Sequence, residues 1–321
     1  MRILVSSGTA DAINTNQRLR QRIAHGFREL GHHSRALGLN KLWGRLEREP
    51  LDLLLITGSI ADPGVDLAGL VRRAQGRGTA VAFWLHDDPY EFDLHWRLEA
   101  LHCPVFSNEA NCLAYYPSSC LARALALAAS PLDALPLDPV AGNPDPEVDL
   151  GFCGVAFPQR VAILRQLAAA GLTLACWGDG WPDDLAGAVN CRLGPLGLRQ
   201  LYRRCCFVLN LGREVPIANR RQQIASSTPG PRTFEAALMG AVQLYLGQSP
   251  RVAVFYGPGD GVIPVSRVEE IQNLVERARA DPSWRRRLGE AAARHTRRHH
   301  LYRHRCHDLL AALGAEGLIA P

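Results

Sequence analysis

Pro229-Gly230-Pro231-Arg232-Thr233-Phe234-Glu235 runs on through Ala236-Ala237-Leu238-Met239 into Gly240-Ala241-Val242-Gln243-Leu244. It reads as a loop, a helix start, one acidic residue inside the first turn, a short helix, a glycine stop and a buried strand. A helix N-terminus exposes unpaired N–H groups and a partial positive charge, which suits a phosphate or diphosphate. Arg232 adds a fixed cation with a fork of donors. Glu235 sits about one turn further in, where a carboxylate could accept hydrogen bonds from sugar hydroxyls. The same spacing also describes a capped amphipathic helix that leads into a core strand. Spacing alone leaves both readings open.

On either side of this stretch the chain alternates strands and helices. Arg2–Val5 is a short apolar run that ends in Ser6-Ser7-Gly8. A helical period spans 16–30, a buried strand 51–56 with Thr57-Gly58-Ser59 at its end, a helix 67–74, and strands 79–85 and 104–106. Residues 131–147 hold five prolines and few large apolar side chains, the pattern of a linker. The rhythm then restarts, with strands at 149–153, 172–177 and 207–211 and helices near 159–170 and 196–204. A polar loop covers 213–230. Helix 232–239 and strand 241–246 follow it, and helices 268–280 and 282–313 close the chain. Such alternation predicts an α/β protein with two doubly wound, Rossmann-like domains. The expected boundaries are 1–140, 147–290 and a helical segment 291–321.

Composition excludes several classes. A chain of 321 residues can bury two cores of ordinary size. No apolar run reaches about 18 residues, so no membrane span is expected. The N-terminus runs straight into a strand without the features of a signal peptide. Nine cysteines are scattered with no Cys-x-x-Cys pair, which favours reduced thiols and a cytoplasmic location. The net charge is +5 with a single lysine, Lys41. The excess is arginine, much of it between Arg285 and Arg305, and it reads as a solvated helix face. Nucleic acid is not an expected partner. The face leaves room for weak peripheral binding to an anionic surface or polyanionic acceptor.

Several motifs, taken in order, resemble the donor half of GT-B glycosyltransferases, and most of all the CgeB-like (spore-maturation type) group. These are Asp149-Leu150-Gly151-Phe152-Cys153-Gly154 with Arg160 after it, Leu174-Ala175-Cys176-Trp177-Gly178 with Trp181, Val208-Leu209-Asn210-Leu211, and the Arg232, Phe234, Glu235-Ala236, Gly240 pattern. They cover roughly residues 147–310. The resemblance implies a bacterial hexosyltransferase-like enzyme with two Rossmann-like domains facing a cleft, and a terminal helix that crosses back to brace the first domain. It implies a nucleotide diphosphate sugar as donor substrate and no cofactor. Glu235 would bind the ribose hydroxyls, and Arg232 with the Thr233 amide the diphosphate. Gly154 and Gly178 would border the ligand at tight strand-end turns, Arg160 would face phosphate charge, and Asn210 would orient a hydroxyl or the base. Many retaining relatives carry a second glutamate eight positions before the first; here that position is Ser227. The sugar-side role of that residue is therefore not carried over.

In the first domain, His86-Asp87-Asp88 closes a strong strand. Asp87 or His86 is the candidate base for the acceptor's proton, with capping of the next segment as the competing reading. Asp87-Asp88 lacks Asp-x-Asp spacing, and no metal site is expected. The histidines at 295, 299, 300, 304 and 307 have helical spacing, but arginines surround them, so a basic face is expected there. The acceptor could be a small molecule, a glycan, a peptide or a lipid-linked species. Two alternatives stand beside the transferase: a nucleotide-sugar epimerase or hydrolase, and a non-catalytic nucleotide-sugar-binding protein.

Overall fold

The computed structural model describes residues 1–9, 14–133, 139–213, 218–246 and 251–320. Parts of the proline-rich stretch (134–138) and of the long polar loop (214–217) lie outside the described residues. In chain order the elements begin β1 (Arg2–Ser7), α1 (Asn14–Glu29), β2 (His33–Ala36), α2 (Leu39–Arg48), β3 (Leu53–Thr57), α3 (Leu67–Gln75), β4 (Ala80–Leu85), α4 (Trp96–Glu99), β5 (Val105–Ser107) and β6 (Ala122–Ala124). They continue with β7 (Val148–Cys153), α5 (Pro158–Ala169), β8 (Leu174–Gly178), β9 (Ala188–Asn190), α6 (Pro195–Arg203), β10 (Cys205–Leu211), α7 (Pro231–Leu238), β11 (Gln243–Leu246), α8 (Val252–Phe255) and β12 (Val262–Val265). The last three helices are α9 (Val268–Ala280), α10 (Pro282–His299) and α11 (Tyr302–Ala315).

The chain divides into two compact units. The first comprises Met1–Ser130, Pro216–Thr228 and Leu301–Pro321. The second comprises Pro131–Val215 and Pro229–His300. Each holds one six-stranded sheet with parallel pairings, in the orders β2-β1-β3-β4-β5-β6 and β12-β11-β10-β7-β8-β9. Strand order reverses between β1 and β3 in unit 1, and between β7 and β10 in unit 2.

The near-continuous apolar strands are explained by helices on both faces. Along β3, Leu53 and Leu55 join the core under α1 and α11, while Leu54 and Ile56 join the core under α2 and α3. Alternation at period two sends successive side chains to opposite faces. Cys205 and Cys206 divide in the same way between the two cores of unit 2. The four strands absent from the sequence expectation, β2, β6, β9 and β12, are three or four residues long. Three of them lie at sheet ends and β12 closes its sheet's other edge. Short, partly exposed edge strands carry no apolar run to read.

Three departures from the sequence expectation have clear causes. The helix expected over 282–313 breaks at His300–Leu301, where Leu301 pairs with Ala129 and the Tyr302 amide donates to the Ala129 carbonyl at 3.0 Å. Beyond the break, Tyr302, Cys306, Leu309 and Leu313 of α11 bury among Leu19, Ile23 and Phe27 of α1. Each leucine contributes about 1.5–3 kcal/mol by burial. The basic face also loses two members. Arg285 is buried and donates to the carbonyls of Cys205 and Asn143, and Arg305 is buried and donates to the Ala126 carbonyl. His295 and His300 both place Nε2 2.8 Å from the Phe255 carbonyl oxygen, in an aromatic cluster with Phe234 and Tyr256, rather than on a solvated face.

The third departure is the loop after β10. Residues 218–228 belong to unit 1, although the strand before them and the helix after them belong to unit 2. The fully buried Glu109 carboxylate accepts from the Ser227 amide (2.7 Å), the Ser227 hydroxyl (2.5 Å), the Thr228 amide (2.8 Å) and the Asn111 amide (3.0 Å). Asp93 accepts from the amides of Arg220 and Arg221. Glu109→Ala would strand these donors, and is expected to lower stability by about 3 kcal/mol in urea denaturation. The Ser227 and Thr228 amides should lose their protection from hydrogen exchange in that variant.

Candidate functional site

In a doubly wound sheet, ligands bind beyond the carboxyl ends of the strands where the order reverses. In unit 2 that point lies between the ends of β7 and β10. Arg160, in the first turn of α5, spans it. Its Nε donates to the Gly212 carbonyl, Nη1 to Val155 and Nη2 to Leu211, each at 3.1 Å. Its guanidinium stacks over Phe152 and Phe157, 5.4 and 4.9 Å from the ring centroids. The fork thus ties the two strand-end loops together, and any phosphate would compete with three carbonyls for it.

Gly154 and Gly178 meet at the same edge. The Gly154 amide donates to the Trp177 carbonyl at 2.9 Å. Gly178 has φ +149°, and a Cβ there would collide with the Gly154 carbonyl oxygen. Glycine at 178 is therefore required by the contact between the two loops.

Helix α7 begins at the capping Gly230, which offers no side chain, with Pro231 in its first turn. Arg232 Nη1 donates to Glu235 Oε2 at 2.8 Å; the arginine side chain is 38% exposed and the carboxylate 7%. Burial alone would lower the Arg232 pKa. The Glu235 charge, helped by Tyr202, outweighs it and pushes the value up, so this cation is permanent. Thr233 departs from the sequence expectation. It is fully buried, and its amide donates to the Gly230 carbonyl at 3.1 Å rather than facing a ligand. Its hydroxyl accepts from Asn210 Nδ2 at 2.6 Å, and its carbonyl from Gln243 Nε2 at 2.9 Å. Asn210 Nδ2 also reaches Gln243 Oε1 at 3.0 Å. Asn210, Thr233 and Gln243 thus form a brace that fixes α7 on β10 and β11. This explains why polar residues sit in otherwise apolar strands.

Sequence reasoning missed Tyr202. It is buried in α6 and its hydroxyl is beside Arg232 with no hydrogen bond of good geometry among the described residues. Burial pushes its pKa up against the pull of Arg232.

In unit 1 the strand-end triplet separates by burial. Asp88 is buried and accepts from Ser107 Oγ (2.5 Å) and the Tyr116 hydroxyl (3.0 Å), with His95 Nε2 at 2.8 Å. Asp87 stays 25% exposed, with Oδ2 3.2 Å from Nε2 of His86, which is 12% exposed. Burial disfavours charge on His86, yet Asp87, with Glu91 and Asp88, raises its pKa above the ordinary value. Glu91 was also missed. It accepts from Ser59 Oγ at 2.7 and 2.8 Å and from the Ile60 amide at 3.3 Å. Burial first, and then the Asp87 charge, raise its pKa. Its only sequence signal is a carboxylate four positions beyond Asp87, in a turn with no periodicity. Among the described residues no group of three or more His, Cys, Asp or Glu side chains is placed to hold a metal ion.

Residues 160–311 match the family model described as glycosyl transferase-like. That interval contains Arg160, Gly178, Asn210, Arg232, Thr233 and Glu235. An alpha-glucosyltransferase in complex with UDP-glucose and DNA containing an abasic site is similar in structure, with a TM-score of 0.66 at 13% identity over 99% of this chain and 99% of that one. The sucrose-phosphate synthase of Thermosynechococcus elongatus gives 0.61 at 12% identity over 98% and 100%. The fold is GT-B. Anabaena HepE in complex with UDP is a further GT-B neighbour, with a TM-score of 0.62 at 12% identity over 98% of this chain and 100% of that one. No curated protein matches the chain by sequence. The glycosyl transferase-like match thus begins in the first turn of α5 and runs through β8–β12 and α6–α10 into α11, and no described helix is long and apolar enough to cross a membrane.

Proposed function

We propose that this protein transfers a hexose from a nucleotide diphosphate sugar to an acceptor hydroxyl, without a metal ion, in the manner of a cytoplasmic CgeB-like glycosyltransferase. The observation that carries the reading is the Arg232–Glu235 pair at the start of α7, inside the glycosyl transferase-like interval. Its support is chemical. A permanent cation at a helix N-terminus balances the negative charge that grows on a departing diphosphate. The carboxylate beside it accepts from ribose hydroxyls. In the transfer itself the acceptor oxygen bonds to the anomeric carbon, while the bond to the diphosphate breaks and its electron pair leaves with the phosphate oxygen. Asp87, oriented by His86, takes the acceptor proton. Solved GT-B neighbours include Anabaena HepE in complex with UDP-glucose, which makes UDP sugars the first donors to try.

Calorimetric titration with UDP-, GDP-, ADP-, CDP- and dTDP-sugars tests this reading. Saturable binding of one nucleotide family, unchanged by EDTA, is expected. If none of them binds, the donor site at α7 is wrong and only the fold remains.

A further inference from the structure

Unit 1 contains a cavity of about 150 Å³ that the reading above leaves unused. It lies between the segment that leads from β4 to β5 and the segment that leads from β5 to β6. Arg221 and Gln222 of the 218–228 loop contribute to its wall.

Its walls are of two kinds. Phe92, Trp96, Tyr115 and Tyr116 supply aromatic surface. The Phe92 ring packs edge-on to Tyr115 and Tyr116, at 5.9 and 5.4 Å between centroids. Trp96 and Tyr115 are 63% and 46% exposed, although burying rings of that size is strongly favourable. Glu99, His102, Arg221 and Gln222 supply hydrogen-bonding groups.

Two further observations mark the cavity as a built site. His95 is a buried wall residue whose Nε2 meets Asp88, while its Nδ1 has no partner among the described residues. The non-glycine residues with left-handed backbone among those described are His102, at φ 47°, and Gln223, at φ 49°. The first lines the cavity and the second follows Gln222, which also lines it. Such conformations cost about 1–3 kcal/mol each and collect at ligand clamps.

A dry apolar cavity of about this volume would suit a bare aromatic ring. Here polar side chains interrupt the aromatic walls, so the fitting ligand has apolar faces and a hydroxylated edge. A pyranose has both: its C–H faces lie on aromatic rings while its equatorial hydroxyls bond to polar side chains. We propose that this cavity is a saccharide subsite that holds one sugar ring of the acceptor. Calling that sugar the acceptor rests on the transferase reading; sugar binding itself does not. His95 also lines the recess that contains Asp87 and Glu91, so one buried side chain is common to this cavity and to the surroundings of the proposed base.

Saturation-transfer NMR on the full chain tests this without nucleotide. The probes are methyl glycosides of glucose, galactose, mannose and N-acetylglucosamine, with phenol as the planar apolar comparison. At least one glycoside should show saturation of its ring C–H protons. Its affinity should fall about tenfold in Trp96→Ala and in Tyr115→Ala and stay at the wild-type level in Arg232→Ala. Both substituted rings are exposed, and circular dichroism checks that the variants fold. Saturation of phenol alone, of no probe, or of a glycoside with both variants unchanged overturns the subsite. A failed nucleotide-sugar titration would overturn the transferase instead and leave this result standing.

Discussion

Replacing Asp87 by asparagine is expected to lower the rate of the proposed sugar transfer by about 10²- to 10⁴-fold, the usual contribution of a positioned general base, and to leave donor affinity unchanged. The separation follows from placement. Asp87 lies at the end of β4 in unit 1, whereas Arg232 and Glu235 lie in unit 2. Asparagine keeps the shape of the side chain and removes only the proton acceptor. The neighbouring Asp88 cannot stand in, because it is buried under Ser107, Tyr116 and His95. The His86–Asp87 pair also has a pH signature. The native pKa of His86 lies above its ordinary value. Its contribution to stability is therefore complete below the ordinary imidazole value, and is lost as the pH rises through the raised native one. Single-turnover assays with the donor found by calorimetry decide the matter. Wild-type turnover in Asp87→Asn would remove Asp87 as the base.

Arg232→Ala is expected to weaken nucleotide-sugar binding by about 1.5–3 kcal/mol, or roughly ten- to a hundredfold, the range for a hydrogen bond to a charged group. Glu235→Ala is expected to cost about 1–3 kcal/mol in the same titration. The two residues touch, so their effects should not add, and the double variant should lose less than the sum. Arg232→Ala also removes the cation that faces a nearly buried carboxylate, so its thermal stability must be measured alongside. Unchanged donor affinity in both single variants, with folding intact, would move the donor site away from α7.

Much of the architecture could be read from periodicity. Strands such as Leu53–Thr57 and Cys205–Leu211 are apolar along their length because helices cover both faces of each sheet, and such runs stand out in one dimension. The glycine stops and the short helix that opens at Pro231 could be read for the same local reason. The edge strands could not, because a three-residue strand with one open side leaves no pattern. Among the candidate site residues, Arg232 and Glu235 form an ion pair, a contact that the sequence reading did not state. Thr233, Asn210 and Arg160 turned out to be engaged by the protein itself. No spacing rule reveals that three carbonyls converge on Arg160 or that Gln243 faces Thr233, since those partners lie up to 52 residues away.

The sequence by itself determined the alternation of elements, the two-sheet α/β class, and the presence of an arginine and a glutamate three positions apart at the start of α7. All of these rest on neighbours within a few residues. Only the tertiary structure decided the rest. It returned residues 218–228 and α11 to unit 1, buried Asp88 while leaving Asp87 partly exposed, added Glu91 and Tyr202 to the candidate sites, and brought four aromatic residues around one cavity. The reason is that burial, and hence the state of a charge, depends on every chain segment that packs against a residue. Those segments are set by the closing of the fold rather than by local sequence.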